Sequence, residues 1–342
     1  MKLALTFYSV LRMPIVDIIS CSTEAEKAGL EYISMAESFY RDASVLAAAI
    51  ASKTNSVKFG SSIFPIPTRT PFQIAMATAT LNEFSGGRVG FIGLGTGYRS
   101  RIEKYFGVKI EHSLSKMREY AEIIRGLLSG DSKNNNDSFS YHGKFFNFEN
   151  FPMLISESPK VPILFASSGD RMLELAGQVG DGVILNSIGT PEYYRHALSI
   201  LHNAGREAER ASHEFEVAAS IIFSVADKYE HAVEAARPDV LFYLTYTELD
   251  PVIDKTPYKE QVAEIRKINA QGRSKEALAL VSDKMVDDLT VSGTPKECRD
   301  KIKKLADHGV TLPIIRVSVQ PFKESERKEV LLRAIDTLKE DR

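Results

Sequence analysis

Short apolar runs alternate with segments of helical periodicity along most of the chain, and this alternation constrains the fold more than any other feature of the sequence. The apolar runs predict eight β-strands, at residues 3–7, 32–36, 57–64, 89–94, 161–166, 182–185, 216–224 and 314–319. The periodic segments predict helices at residues 15–28, 43–52, 71–84, 171–178, 191–210 and 325–339. Strands separated by one helix are parallel neighbours joined by right-handed crossovers.

Eight strand–helix units predict a (β/α)8 TIM barrel, an α/β fold, with a doubly wound open sheet as the structural alternative. One such barrel accommodates all 342 residues as a single domain. The surplus length falls in two predicted insertions. Residues 131–151, rich in Asn, Ser and aromatic side chains, are typical of a loop or hairpin, whereas residues 228–308 exceed a single crossover helix and predict several helices near the barrel rim.

The composition argues against several classes of function. The 43 basic and 45 acidic residues are nearly balanced, so a nucleic-acid partner is not expected. Cys21 and Cys298 match no zinc or redox spacing, and the seven histidines match no metal-ligand spacing. No stretch reaches the roughly 18–20 apolar residues of a membrane span, and the N-terminal apolar run is too short for a signal peptide. We therefore expect a soluble cytoplasmic protein without a metal or a membrane partner.

The carboxyl ends of barrel strands are where ligand-binding residues are expected. Glu37 follows the second strand and is the ionisable residue at an early strand end, so it is the candidate proton carrier. The other candidates are hydroxyl-bearing or small residues that let a planar ligand approach the backbone. Those at the ends of the first four strands are Thr6, Ser38, Ser61, Ser62, Gly95, Thr96 and Gly97, and the apolar Ile63 beside Ser62 is a further candidate.

A candidate anion site follows the fifth strand. Ser167, Ser168 and Gly169 precede a predicted helix, and backbone N–H groups at a helix N-terminus form a phosphate site when hydroxyls flank them. Asp170 is then expected to be the N-cap, because a carboxylate in contact with phosphate would repel it. An ordinary capped helix is the alternative. Such a rim suits a phosphorylated organic cofactor that carries the difficult chemistry itself.

Several motifs resemble those of the luciferase-like flavin and deazaflavin oxidoreductases. They are FG at 59–60 leading to RTP at 69–71, TLNEFSGGRV at 80–89, GLGTG at 93–97, and MLELAG at 172–177 leading to GDGV at 180–183. Within that superfamily the chain is most similar to the methylenetetrahydromethanopterin reductases, which use coenzyme F420. This similarity is carried by AARP at 235–238, KMVDD at 284–288 and SGTPKEC at 292–298.

The resemblance implies a luciferase-like barrel with insertions, and a homodimer or higher homo-oligomer. It implies a deazaflavin, coenzyme F420, at the mouth, its ring backed by a bulge with a non-prolyl cis peptide that maps to Ser62–Ile63. The cofactor phosphate then lies by Ser167, Ser168 and Gly169, and the ribityl chain near Gly95, Thr96 and Gly97. The implied activity is hydride transfer between the reduced deazaflavin and a small organic acceptor, for which a tetrahydropterin is one candidate.

Two departures from the methanogen reductases bear on the substrate. Those enzymes resemble one another in a glutamate where this chain has Thr6, and in an Asp-His pair where it has Glu37 and Ser38. The fold and the cofactor class follow from the resemblance, but the pterin substrate does not. An FMN-dependent monooxygenase of the same superfamily and a cofactor-binding protein without turnover are the alternatives.

The lining of the pocket is predicted from residues near the strand ends. The chain contains no tryptophan, so the aromatic lining is expected from Phe7, Tyr8, Phe39, Tyr40 or Phe64. The deazaflavin tail carries glutamates and calls for a basic groove. Its candidate residues are Arg41, Arg69, Arg99 and Arg101.

Overall fold

A computed structural model describes residues 2–8, 13–37, 40–129, 138–152, 161–210 and 215–339. Its strands are β1 (Ala4–Thr6), β2 (Tyr32–Met35), β3 (Lys58–Ser61), β4 (Phe64–Pro65), β5 (Val89–Gly95), β6 (Ser138–His142), β7 (Asn147–Pro152), β8 (Ile163–Ser167), β9 (Gly182–Leu185), β10 (Glu216–Val225), β11 (Val291–Gly293) and β12 (Leu312–Val317).

Helices α1 to α14 connect and surround these strands. They are α1 (Ile15–Lys27), α2 (Ala43–Ala51), α3 (Pro71–Phe84), α4 (Arg99–Arg101), α5 (Ser113–Leu128), α6 (Asp170–Val179), α7 (Pro191–Glu207), α8 (Tyr229–Leu244), α9 (Asp250–Ile253), α10 (Lys259–Ala270), α11 (Ser274–Ala279), α12 (Asp283–Leu289), α13 (Pro295–Asp307) and α14 (Arg327–Thr337). A π-helical turn (Ile102–Phe106) follows α4, and a 3₁₀ turn (Thr247–Leu249) precedes α9.

Eight parallel strands close into a barrel in the order β1, β2, β3, β5, β8, β9, β10, β12. Closure is made by β12, which pairs with β1 so that Arg316 lies beside Thr6. The predicted TIM barrel is therefore confirmed, and the open sheet is wrong. β4 adds to β5, and β11 adds to the carboxyl end of β10.

The barrel interior is filled by side chains at alternate strand positions, because successive residues of a strand point to opposite faces. One buried cluster contains Ala4, Tyr32, Phe91, Leu164, Ile184, Ala218, Leu312 and Ile314. Small residues make room for the large ones. A Cβ on Gly60 would lie 2.1 Å from the Phe91 ring, and one on Gly90 would lie 2.3 Å from the Tyr32 ring.

The predicted strand at residues 57–64 is divided in the structure. β3 ends at Ser61 and β4 begins at Phe64, and the Ser62–Ile63 peptide bond between them is cis. The cis bond lies where the resemblance implies it.

The segments predicted as insertions contain secondary structure. Strands β6 and β7 form an antiparallel hairpin that occupies the described part of the first one, residues 131–137 of which lie outside the described residues. Residues 228–308 contain helices α8 to α13 together with β11. Helix α5 is absent from the predicted elements, although its buried residues Met117, Tyr120 and Ile124 recur at helical spacing. Within the described ranges, no helix is long and apolar enough to cross a bilayer.

Candidate active site

A cavity of about 340 Å³ opens at the carboxyl ends of the barrel strands. We call it the main cavity because most of the candidate residues line it. Nine of the candidate residues line it, contributed by β1 and β8 and by the segments after β2, β3, β5 and β8. They are Thr6, Glu37, Ser62, Ile63, Thr96, Gly97, Ser167, Ser168 and Gly169. A barrel gathers them because all its parallel strands end at the same rim. Ser38 lies outside the described residues.

The bulge at Ser62 and Ile63 is held against β2 at three points. The Ser62 N–H donates to the Met35 carbonyl at 2.8 Å, and the Glu37 N–H donates to the Ile63 carbonyl at 3.2 Å. The Ser34 hydroxyl donates to the Ser62 hydroxyl at 2.7 Å. With its backbone held in this way, the bulge presents Ile63 as an apolar wall of the main cavity.

Ser61 and Gly95 lie behind this wall, in contrast to the expectation that they meet the cofactor. The Ser61 hydroxyl accepts from the Gly93 N–H at 2.8 Å and thereby joins β3 to β5. A Cβ on Gly95 would come within 2.7 Å of Ile63 Cδ1. Gly95 therefore leaves room for Ile63, and both residues shape the bulge from outside the cavity.

The backbone after β5 forms a cradle beside the bulge. Gly97 has φ +67°, in the left-handed region that glycine adopts most readily. Thr96 and Gly97 both line the cavity, and the Thr96 hydroxyl donates to the Gly97 carbonyl at 3.2 Å. This arrangement is compatible with the hydroxylated chain of a flavin or deazaflavin, as the resemblance implies.

Helix α6 begins at the opposite edge of the cradle. Its N-cap is Gly169, which carries no capping side chain, so the expectation that Asp170 caps this helix is wrong. Asp170 is the first helical residue, and its Oδ1 lies 2.9 Å from His196 Nε2. The Tyr193 hydroxyl donates to the Ser168 carbonyl at 3.1 Å and anchors the segment before the helix.

A side chain on Gly169 would have space, since a Cβ there would lie 3.6 Å from Pro251 Cγ. The first N–H groups of a helix have no intrahelical partner, and the helix dipole favours an anion beside them. With Ser167 and Ser168 lining the same cavity, the residues present fit a cofactor phosphate.

Glu37 lies on the cavity wall with both carboxylate oxygens occupied. Arg69 Nε donates to Oε1 at 2.6 Å and Arg69 Nη2 donates to Oε2 at 3.0 Å. The backbone N–H of Ala43 also donates to Oε2, at 2.9 Å. Arg69 bonds to Asp42 as well, so Glu37 belongs to a partly buried ion-pair cluster. A proton placed on Glu37 has to replace one of these contacts.

The main cavity also contains functional side chains that the sequence reasoning missed. Arg316 of β12 is 2% exposed and lines the wall beside Thr6. Its Nη2 donates to Asp239 Oδ1 of α8 at 2.8 Å. Burial alone lowers the pKa of Arg316, but Tyr243 and Asp239 raise it, and the net shift is upward. An arginine inside the apolar run 312–317 was the signal that could have identified this residue.

Tyrosines form most of the aromatic lining. Tyr8 is on the wall as expected, whereas Phe7 and Phe64 pack in the core and Tyr40 is exposed. Phe39 lies outside the described residues. The other aromatic lining residues are Tyr98, Phe106 and Tyr243, none of which was predicted. Burial raises the pKa of Tyr98 well above its ordinary value, so this phenol stays protonated at neutral pH.

A side cavity of about 640 Å³ adjoins the main one and shares Gly97 and Gly169 with it. Arg99, Arg171 and Lys255 line this side cavity, but Asp170, Glu248 and Asp254 line it as well. Its charge is therefore balanced, in contrast to the basic groove expected for a glutamate-bearing tail. The other three candidate arginines lie elsewhere. Arg101 lines the main cavity, Arg69 is paired with Glu37, and Arg41 donates to the Met13 carbonyl. Within the described ranges, no three His, Cys, Asp or Glu side chains are grouped to hold a metal.

Comparison with known proteins places these features in a family. The model of the luciferase-like monooxygenase family matches residues 6–312. The chain is 29% identical over 318 residues to 5,10-methylenetetrahydromethanopterin reductase of Methanolobus tindarius, which covers 92% of this chain and 94% of that protein.

Two solved structures share the fold. The coenzyme F420-dependent tetrahydromethanopterin reductase of Methanopyrus kandleri superposes with a TM-score of 0.83 at 24% identity, over 99% of this chain and 97% of that one. An F420-dependent secondary alcohol dehydrogenase in complex with an F420–acetone adduct has a TM-score of 0.77 at 18% identity, over 99% of each chain. The resemblance read from the motifs is confirmed, and the chain belongs to the luciferase-like monooxygenase family of oxidoreductases.

Proposed function

We propose that the protein is a coenzyme F420-dependent oxidoreductase that transfers a hydride between the reduced deazaflavin and a small organic acceptor. Its similarity to the methylenetetrahydromethanopterin reductases over nine-tenths of the chain supports the deazaflavin over FMN. A tetrahydropterin is the first acceptor to test. As the resemblance implies, we also propose a homodimer or higher homo-oligomer, which light scattering after gel filtration tests.

The observation that carries the proposal is the combination of three features in one cavity. The apolar bulge at Ile63, the glycine cradle at Gly97 and the uncapped N-terminus of α6 all face the same space. The bulge at Ile63 suits the ring of a flavin-type cofactor, the cradle at Gly97 suits its hydroxylated chain, and the N-terminus of α6 suits its phosphate.

The chain's own residues bind the cofactor, orient its ring and shield the reacting centre from water. The N-terminus of α6 with Ser167 and Ser168 holds the phosphate, and Ile63 supports one face of the ring. Tyr8, Tyr98 and Tyr243 exclude water from the reacting centre. When bound, the deazaflavin supplies the hydride. Rigid placement of both reactants accounts for much of the rate, because it removes the entropy cost of bringing them together.

Glu37 is the proposed proton carrier for acceptors whose reduction also takes up a proton. Among the described residues, the main cavity has a second carboxyl group, that of Glu248. Glu248 accepts a hydrogen bond from the backbone N–H of Arg99 at 2.8 Å and also lines the side cavity. Glu37 instead lies beside the bulge, because its own N–H is bonded to the Ile63 carbonyl. Thr6 replaces a glutamate of the methanogen reductases, so we do not transfer their pterin specificity to this chain.

Cofactor titration tests the proposal. Purified protein is titrated with F420 and with FMN, and the absorbance of the reduced cofactor is followed after adding methylene-tetrahydropterins, ketones or aldehydes. Binding of F420 and its reoxidation by an organic acceptor without oxygen are expected. Binding of FMN alone with oxygen-dependent reoxidation would instead identify a monooxygenase. Tight F420 binding without turnover of any acceptor would indicate a cofactor-binding protein.

A further inference from the structure

The buried ion pair between Arg316 and Asp239 is incompletely satisfied. Their side chains are 3% and 2% exposed, and one hydrogen bond of 2.8 Å joins them. Within the described part of the chain, Arg316 Nε, Arg316 Nη1 and Asp239 Oδ2 have no hydrogen-bond partner. The Thr6 hydroxyl, at the neighbouring register position on β1, is also buried without one.

Unsatisfied donors of this kind are costly. A buried polar group without a partner lowers the stability of the folded protein, and a charged group lowers it more. The rings of Tyr8 and Tyr243 lie 5.6 and 5.1 Å from the guanidinium carbon and interact with its charge. Aromatic rings do not replace the in-plane oxygen acceptors that Nε and Nη1 require. Since Arg316 and Thr6 line the main cavity, a ligand in that cavity can supply such an oxygen.

The position of Arg316 in the barrel indicates which ligand this is. β12 lies next to β1, four strands away from β5, whose end carries the Gly97 cradle, and three away from β8, which leads to α6. In a closed barrel of eight strands these are opposite walls. The cofactor anchored on β5 and β8 therefore leaves the Arg316 wall to the acceptor.

The charge of the pair indicates the chemistry of the oxygen. Arg316 and Asp239 together are neutral, so a carboxylate on Arg316 would add an uncompensated buried negative charge. A neutral carbonyl oxygen accepts the same hydrogen bonds without that penalty.

We propose that Arg316 and Thr6 bind a neutral carbonyl oxygen of the hydride acceptor, and that Asp239 positions Arg316 and neutralises it. The acceptor is accordingly a small molecule that bears a ketone, aldehyde or amide group. This inference rests on the proposed function in assigning the ligand as the acceptor.

Three probes of similar size test the assignment on cofactor-loaded protein: acetophenone, benzoate and benzylamine. Binding is measured by ligand-observed saturation-transfer NMR. We expect acetophenone to bind at least about tenfold more tightly than benzoate, and benzylammonium not to bind. Tighter binding of benzoate than of acetophenone would overturn the proposal.

Variants separate binding from folding. The double change Arg316→Met with Asp239→Leu removes both charges, an exchange that buried ion pairs often tolerate. It is expected to raise the Kd of acetophenone at least about tenfold, while the Kd of F420 stays within about threefold of the wild-type value. Lost F420 binding with acetophenone binding retained would show that Arg316 serves the cofactor, which overturns the proposal.

Asp239→Asn provides a readout that a purely structural role would not move. It keeps an oxygen for Arg316 but leaves the site positively charged, so the benzoate-to-acetophenone affinity ratio is expected to rise at least about tenfold. An unchanged ratio in a folded variant would overturn the role of Asp239, and this variant decides the question if the double variant does not fold. If the protein binds FMN rather than F420, the same titrations are run on the FMN-loaded protein. The proposed cofactor can then fail while the assignment of Arg316 to the acceptor is still tested.

Discussion

Replacing Glu37 by glutamine separates its structural role from its proposed chemical role. The carboxylate accepts two hydrogen bonds from Arg69 and one from the Ala43 N–H. Glutamine keeps one acceptor oxygen but turns an NH2 group toward the guanidinium. One hydrogen bond to a charged group contributes about 1.5–3 kcal/mol. Because Arg69 and Glu37 are only 14% and 15% exposed, little of this is lost to solvent screening.

We therefore expect Glu37→Gln to lower the free energy of unfolding by about 2 kcal/mol. For 342 residues this corresponds to a fall of about 3 °C in Tm. Chemical denaturation and a thermal melt measure it. If Glu37 delivers a proton, turnover at saturating cofactor falls while the cofactor Kd is unchanged.

Asp42→Asn is the matched control. Asp42 binds the same Arg69 but is 46% exposed, and asparagine preserves the N-cap of α2. This variant is expected to lose less than about 1 kcal/mol and to keep full turnover. An unchanged stability of Glu37→Gln refutes the structural reasoning, and equal turnover removes Glu37 from the mechanism. An equal loss of turnover in both variants shows that the effect passes through Arg69.

Three further variants test other parts of the structure. Gly169→Asp places a preferred N-cap at α6 but repels phosphate, so the Kd of F420 should rise at least about tenfold, whereas Gly169→Asn should bind normally; equal titrations for both contradict the anion site. Burial raises the pKa of Tyr120 from 10.0 to about 12, so its contribution to stability is complete below pH 10 and declines as the pH rises toward 12. Denaturation of Tyr120→Phe should show a shallower decline over that range, and an unaltered slope contradicts the raised pKa. Gly93→Ala puts a Cβ 2.0 Å from the Ser61 carbonyl oxygen and should destabilise the protein by about 1–3 kcal/mol; a wild-type Tm contradicts the close approach.

Many of the residues that line the main cavity could be predicted from the sequence. Ser62 and Ile63 lie at the end of one predicted strand, Gly97 and Gly169 come shortly after two others, and parallel strands of a barrel bring their ends to one rim. Asp170 was expected as the N-cap because a carboxylate in contact with phosphate would repel it, but the helix begins one residue earlier than predicted and places Asp170 inside it.

The acceptor side could not be predicted in the same way. Asp239 lies in the middle of α8, and its contact with Arg316 joins residues 77 positions apart in the chain. Tyr243 also lies on α8, where periodicity indicates a helix without showing that this face covers the barrel mouth.

The sequence by itself determined the barrel, the family and the rim where the candidate ligand-binding residues gather, because these depend on local periodicity and on residues adjacent to strand ends. Only the tertiary structure decided which side chains share the cavity and which of their polar atoms have no partner. The carboxylate of Glu37 is bound to Arg69, and two guanidinium nitrogens of Arg316 have no hydrogen-bond partner among the residues that the structure describes. Both facts depend on contacts between segments distant in the chain, which local propensity does not encode.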